Sequence, residues 1–275
     1  MPAFTHTYRI YKDAVDNSDS LFNFKLETIA KLEPFLSFLY KQWWRVDFSG
    51  MEFLPKQGPA FIVGNSGSIL PWPGFMLLFA LMNEKPYPRR LNIMADMDGI
   101  DDERLYAFLT EIGFVDWSAD NAKRLFAAGE IVATFPEGIA GLTKPYSDRY
   151  RLMDFDWTKF LPAAETKVPI YSLCTLGCED SLPVYDNLPK LANFLGLPEY
   201  PITPFFPWLP FPVNCLSFPG NWQMRILKSH RFAYDQEHDD LEDIAKKQAR
   251  HFEGEIQSEL NRLLRKRTHE PFKFV

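Results

Sequence analysis

Apolar residues recur near helical spacing from residue 21 to residue 45, where Leu21, Phe22, Leu26, Ile29, Leu32, Phe35, Leu36 and Leu39 form a stripe. The pattern predicts an amphipathic helix that Pro34 should kink or divide. Its end sets Trp43 and Trp44 beside Lys41 and Arg45, which suits a core-covering helix or one lying in a membrane interface. After residue 50 the pattern alternates. Strands are predicted at Pro59–Gly64, Leu91–Ala95, Ile131–Phe135, Val168–Cys174 and Trp222–Leu227, with helices at Gly74–Met82, Glu103–Ile112 and Ala119–Ala128. Ser118 stands where the last of these needs an N-cap. Residues 235–267 read as a long charged helix with Leu241, Ile244, Ala245, Phe252, Ile256, Leu260, Leu263 and Leu264 on one face. Strands interleaved with helices argue an α/β fold: a central mixed sheet flanked by helices, with an N-terminal amphipathic helix and a long C-terminal helix. Residues 1–20 read as polar and irregular, and 198–221, rich in proline and aromatics, as an ordered extended loop. The expected organisation is an N-terminal segment over 1–45 followed by a single α/β domain over 46–275.

Composition narrows this picture. Of 275 residues, 46% are hydrophobic and 24% charged, which excludes disorder or a fibrous repeat for the whole. The net charge of −6 supplies no basic field for a nucleic-acid backbone, so no nucleic-acid partner is expected. Aromatics reach 16%, pointing to a large packed core or a surface that meets lipid. Cys174, Cys178 and Cys215 cannot build a disulfide framework and suit a reducing compartment. No apolar run approaches the roughly 20 residues of a bilayer span. The first residues lack the apolar stretch of a secretory signal. A cytoplasmic protein is expected, peripheral on the inner face of the cell membrane.

Two segments offer chemistry. Ile62–Gly74 (IVGNSGSILPWPG) runs from a strand through a Gly- and Ser-containing turn into a helix, a place where α/β proteins put reactive groups. Phe135–Leu152 follows another strand and places Glu137 in a Pro–Gly turn, then Lys144, Arg149 and Arg151 in one loop. Three such cations could hold a phosphate or simply be solvated. Asp96, Asp98, Asp101 and Asp102 read as a helix-capping acidic turn, since their spacing is not that of a calcium loop. Cys174 and Cys178 lack partners for zinc. No metal and no cofactor are expected.

Taken together, the strand-borne FPEG of residues 135–138 and the upstream SG turn resemble the glycerolipid acyltransferase family, in particular its bacterial lysophospholipid and monoacylglycerol acyltransferase-like branch. In that branch the first motif commonly reads N-H-S-G…L-P-W-D-G and the later one F-P-E-G-x-R-G…K; here they are GNSGSILPWPG and FPEGIAG followed by LTKP. Trp43–Arg45, Ala95–Asp96, Gly113, Pro201–Pro207 and Trp222 also fit, so the resemblance covers roughly residues 40–265. It implies a His–Asp pair in which the imidazole takes the acceptor hydroxyl's proton and the carboxylate orients the ring. The hydroxyl then attacks an acyl-CoA or acyl carrier protein thioester. It implies substrate contacts at Ser66, Gly67, Phe135, Pro136, Glu137, Gly138, Lys144 and Arg149.

The departures fall on that chemistry. Asn65 stands at the histidine position and Pro73 at the acid position, while Ala140 replaces an arginine common in relatives. Asparagine has no titratable lone pair, and proline has no side-chain acceptor. Of the five histidines, His6, His230, His238, His251 and His269, only His230, just after the last strand, is a candidate replacement base. The expectation is therefore a catalytically impaired family member with no intact catalytic residue. It would bind a lipid or acyl-chain ligand (acyl-CoA or acyl carrier protein included), rest on a membrane surface, or serve a protein partner as a structural subunit. The rival expectation is an atypical working acyltransferase that uses Asn65 or Ser66 for orientation and His230, or the substrate's own phosphate, as base.

Overall fold

The computed structural model describes residues 21–67, 70–83, 89–98, 100, 102–188, 190–192, 200–206, 208, 217–230, 232 and 240–268. Helix α1, Leu26–Phe38, covers the sheet with Ile29 and Leu36 and runs on through a π turn, Leu39–Trp43. Pro34 does not divide it. The proline sits on the exposed side, where the backbone group it leaves unpaired can meet water. The strands and helices that follow are β1 (Asp47–Ser49), β2 (Ala60–Gly64), α2 (Trp72–Asn83), β3 (Leu91–Ala95), α3 (Glu103–Glu111), β4 (Phe114–Asp116) and α4 (Ala119–Ala127). Then come β5 (Ile131–Thr134), α5 (Gly138–Leu142), α6 (Leu161–Thr166), β6 (Ile170–Leu176) and the single turn α7 (Cys178–Ser181). The short ribbon β7 (Asp186–Asn187) and β8 (Pro201–Ile202), the strand β9 (Gln223–Ile226) and α8 (Leu241–Thr268) complete the described elements.

The sheet has seven strands in the order β1-β9-β6-β2-β5-β3-β4. All neighbours are parallel except β6 and β9. It is thus the mixed, helix-flanked sheet that the pattern predicts. Side chains of a strand alternate between faces, and β2 shows how that divides the core. Ala60 and Ile62 pack with α1, α2, Trp44 and Trp222 on one face, while Phe61 and Val63 pack with α4, α6 and α8 on the other. Trp44 and Trp222 stack with ring centroids 4.3 Å apart, fixing the end of the π turn to the entry of β9. The predicted caps hold: Ser118 Oγ accepts from the Asn121 N–H at 3.1 Å, and Asp102 Oδ1 accepts from the Arg104 and Leu105 N–H groups.

β1, β4, β7 and β8 carry no sequence signal, being two or three residues long. Of the proline-rich stretch, β8 pairs with β7, the Phe205 and Phe218 rings lie 5.1 Å apart, and Trp208 is 83% exposed. Residues 198–199, 207 and 209–216 of that stretch, residues 1–20, and His238 and His269 lie outside the described residues, as does His6.

Candidate functional site

Pairing of β2 with β5 brings Val63 opposite Thr134, so the turns that follow these strands meet at one end of the sheet. That end is where open α/β sheets bind ligands. The Ser66 N–H donates to Glu137 Oε1 at 2.7 Å, and the Met153 N–H donates to Oε2 at 2.9 Å. Glu137 is thereby the tie between the upstream turn and the loop beyond FPEG, and its side chain is wholly covered. Two glycines permit the closeness. A Cβ on Gly141 would stand 2.5 Å from the Glu137 Cβ, and one on Gly67 would overlap the Cys178 Sγ.

Lys144 is buried beside this tie. Its ammonium lies 2.7 Å from Glu179 Oε1 and 3.8 Å from Glu137 Oε2, and it donates to the Arg151 carbonyl at 2.7 Å. The other Glu179 oxygen accepts the Tyr150 N–H. Burial pushes the Glu137 carboxyl up to about 7, against the pull of Lys144, and pushes Glu179 in the same direction. One ammonium facing two carboxylates makes a neutral cluster when the pair holds a single proton. The Lys144 charge is therefore met from within the protein. Arg149 is more accessible: its guanidinium lies over the Tyr146 ring at 4.3 Å and its Nε is 3.6 Å from Asp180 Oδ1. Asp180 also accepts from the Tyr150 hydroxyl at 2.5 Å and from Arg267 at 2.6 Å.

Asn65 and Pro73, the positions where the sequence departs from the family's motif, are both held in the backbone framework. Asn65 is buried; its Nδ2 donates to the Thr175 carbonyl at 2.9 Å and its Oδ1 accepts the Thr175 N–H at 2.7 Å. The amide thus imitates one more backbone rung between β2 and β6. Pro73 is buried in the first turn of α2, where a missing N–H removes no helical bond. Phe135 lies against Gly64 and Gly74, Pro136 accepts the Asp156 N–H at 2.9 Å, and Gly138 opens α5 at φ 58°. Ser66 Oγ and Trp72 Nε1 are buried without a hydrogen-bond partner among the described residues.

The space left among Gly67, Gly141, Lys144, Tyr146, Glu179 and Leu182 is about 10 Å³, close to that of one water. Beside it, an open depression of about 450 Å³ is lined by Ile139, Ala140, Thr143, Met153 and Asn187, among others. Sequence reasoning missed Cys178, Glu179 and Asp180. Nothing in the stretch CED distinguishes acids turned inward from solvated ones.

His230 is not near these turns. Its backbone bridges Ile170, the first residue of β6, whereas Asn65 clasps Thr175 near the other end. Five residues of strand separate those points by about 17 Å. The expectation of His230 as a replacement base at the cleft is corrected on that ground. Its ring pairs instead with Glu255, Nε2 to Oε1 at 2.7 Å.

Residues 45–175 match the family model described as Acyltransferase. An uncharacterized protein of Mycobacterium tuberculosis H37Rv is 38% identical over 196 residues, which are 71% of this chain and 54% of that protein. An uncharacterized protein of Mycobacterium leprae is 37% identical over 196 residues, 71% and 53% of the two chains. The chain therefore spans about half the length of the curated relatives it matches. Among solved structures, the crystal structure of the 1-acyl-sn-glycerophosphate (LPA) acyltransferase PlsC from Thermotoga maritima superposes with a TM-score of 0.51 at 15% identity, covering 83% of this chain and 79% of that one. At that identity the likeness is one of fold, including the mixed sheet and its flanking helices.

Proposed function

We propose that this chain, which matches the Acyltransferase family model over residues 45–175 and shares the fold of PlsC, is a glycerolipid acyltransferase family member without acyl-transfer chemistry, which holds a lysolipid or acyl chain beside the former cleft. The observation that carries this reading is Asn65. The residue at the expected base position has no titratable group, and both ends of its amide are bound to Thr175. Glu137, though held near neutrality, is no substitute base, because both its oxygens accept backbone N–H groups and solvent does not reach it. Loss of general acid–base help alone lowers a rate by about 10²–10⁴.

The depression lined by Ile139 and Met153, exposed apolar side chains, supports a ligand with an acyl chain; Asp148 stands on its wall, and Arg149 lines the small space beside it. Acyl-CoA and acyl carrier protein carry such chains too, and a structural role for a protein partner follows the same logic. Contact with a membrane surface, expected on the cytoplasmic face, is supported by Phe35, Phe38 and Phe218. These are exposed where the end of α1 meets residues 217–220 through the Trp43 indole bond to Ser217. No helix among the described residues is long and apolar enough to cross a membrane.

The test is acyl transfer from acyl-CoA and acyl carrier protein to lysophospholipid and glycerol acceptors. Mass spectrometry of lipids retained through native purification accompanies it. Wild-type protein should retain lipid and show no transfer above background, and Asn65→His/Pro73→Asp should gain measurable transfer. Transfer by the wild type at an ordinary enzymatic rate overturns the reading.

A further inference from the structure

The far end of the sheet holds a donor cluster that the cleft does not use. His251 and Glu255 stand four residues apart on α8 and so share one face of it. His230 reaches them from the segment after β9, its backbone fixed by the bridge to Ile170. One donor atom from each of the three lies within 4.8 Å of the others. The His230 and His251 rings meet edge to face with centroids 4.7 Å apart.

We propose that His230, His251 and Glu255 bind a divalent ion of the zinc class. Two imidazoles and one carboxylate suit zinc, nickel, cobalt or copper, and not calcium or magnesium, which take oxygen ligands. Around a tetrahedral ion bound at about 2.1 Å, neighbouring donors stand about 3.4 Å apart. The His230–Glu255 contact need open only slightly to reach that spacing, and the His251 donor, within 4.8 Å of the other two, need close by at most about 1.4 Å. Metal carboxylates are held by outer partners, and here the fully buried Ser172 hydroxyl donates to the second oxygen of Glu255. Phe232 and Phe252 pack edge-on against His251 at 5.2 and 5.1 Å, limiting its ring without covering it. Water fills the remaining outward coordination positions.

Such an ion clamps α8 to the sheet. The same helix frames the loop beside the cleft: Glu253 accepts the Phe155 N–H, and Gln257 accepts the Leu152 N–H and donates to the Tyr150 carbonyl. The ion is thus a staple for that helix, remote from any acyl chemistry.

The test uses the untagged full chain, stripped by chelation, titrated with Zn²⁺ by calorimetry and with Co²⁺ by visible absorption. One Zn²⁺ per chain should bind, with a rise in thermal midpoint, and Co²⁺ should show ligand-field bands of imidazole coordination. His251→Ala and Glu255→Gln, with fold checked by circular dichroism, should weaken binding beyond about 100-fold, and Ser172→Ala by about 10-fold. Absence of Zn²⁺ binding to the wild type overturns the proposal. So does wild-type affinity retained in folded His251→Ala and Glu255→Gln.

Discussion

The two ends of the sheet present opposite combinations. At the cleft end stand the motif turns, two buried carboxyls and a lysine, and no imidazole from His230 or His251. At the far end an imidazole rests on a carboxylate at 2.7 Å, with no motif turn near it. A histidine–carboxylate pair is therefore not informative by its presence. What matters is which end of the strands it occupies, because the ligand-binding crevice of such sheets lies beyond their carboxyl ends. The cleft end also differs in how its charges are kept. Its ions are covered, so their pairing is a condition of folding, whereas the His230–Glu255 pair is half open to solvent.

Variants can break that contrast, and the largest effect should come from Lys144→Met. It leaves Glu137 and Glu179 buried without their ammonium, and loss of one partner of a buried pair costs about 3–5 kcal/mol. Urea unfolding should show it as a lowered midpoint. Asn65→Ala comes next. It strands the Thr175 N–H and carbonyl, at about 1–3 kcal/mol for an unsatisfied buried group, while zinc affinity at the far end should not change. Gly67→Ala should cost about 1–3 kcal/mol by overpacking, because its methyl meets the Cys178 sulfur. Cys178→Ala should relieve part of that loss, and a double-mutant cycle that shows no coupling would discard the contact as the cause.

A smaller effect is pH-dependent. The Glu137 carboxyl is raised from 4.5 to about 7 in the folded protein, so folding favours its protonated form. That contribution is complete below the unfolded value near 4.5 and fades as pH rises through about 7. Glu179 is shifted the same way. Stability should therefore fall across this window. Glu137→Gln should flatten the slope, while being less stable at every pH because its amide turns a donor toward a backbone N–H. The smallest effect is expected at the open end, where His230→Ala should cost about 0.2–1 kcal/mol without metal.

Much of this fold is legible in the sequence because burial and spacing write it there. The apolar run Ala60–Val63 reads as a central strand and is one, and the face of α8 is visible from Ile244 to Leu263. The family motifs likewise place the two turns correctly. Pro34 misleads, since a proline's effect depends on which side of the helix meets water. The cleft's electrostatics were hidden for a different reason. Glu179 and Asp180 are adjacent acids in one short turn, yet the former is buried against Lys144 and the latter gathers Tyr150 and Arg267. The far cluster was hidden by distance, for 25 residues separate His230 from Glu255. His251, on a charged helix, reads as a solvated side chain.

The doubled amide bond from residue 65 to Thr175 makes that position costly to exchange. A histidine placed there would surrender both rungs, and Pro73 would offer its ring no carboxylate in return. The seam between the two strands therefore resists any single substitution toward an acid–base pair.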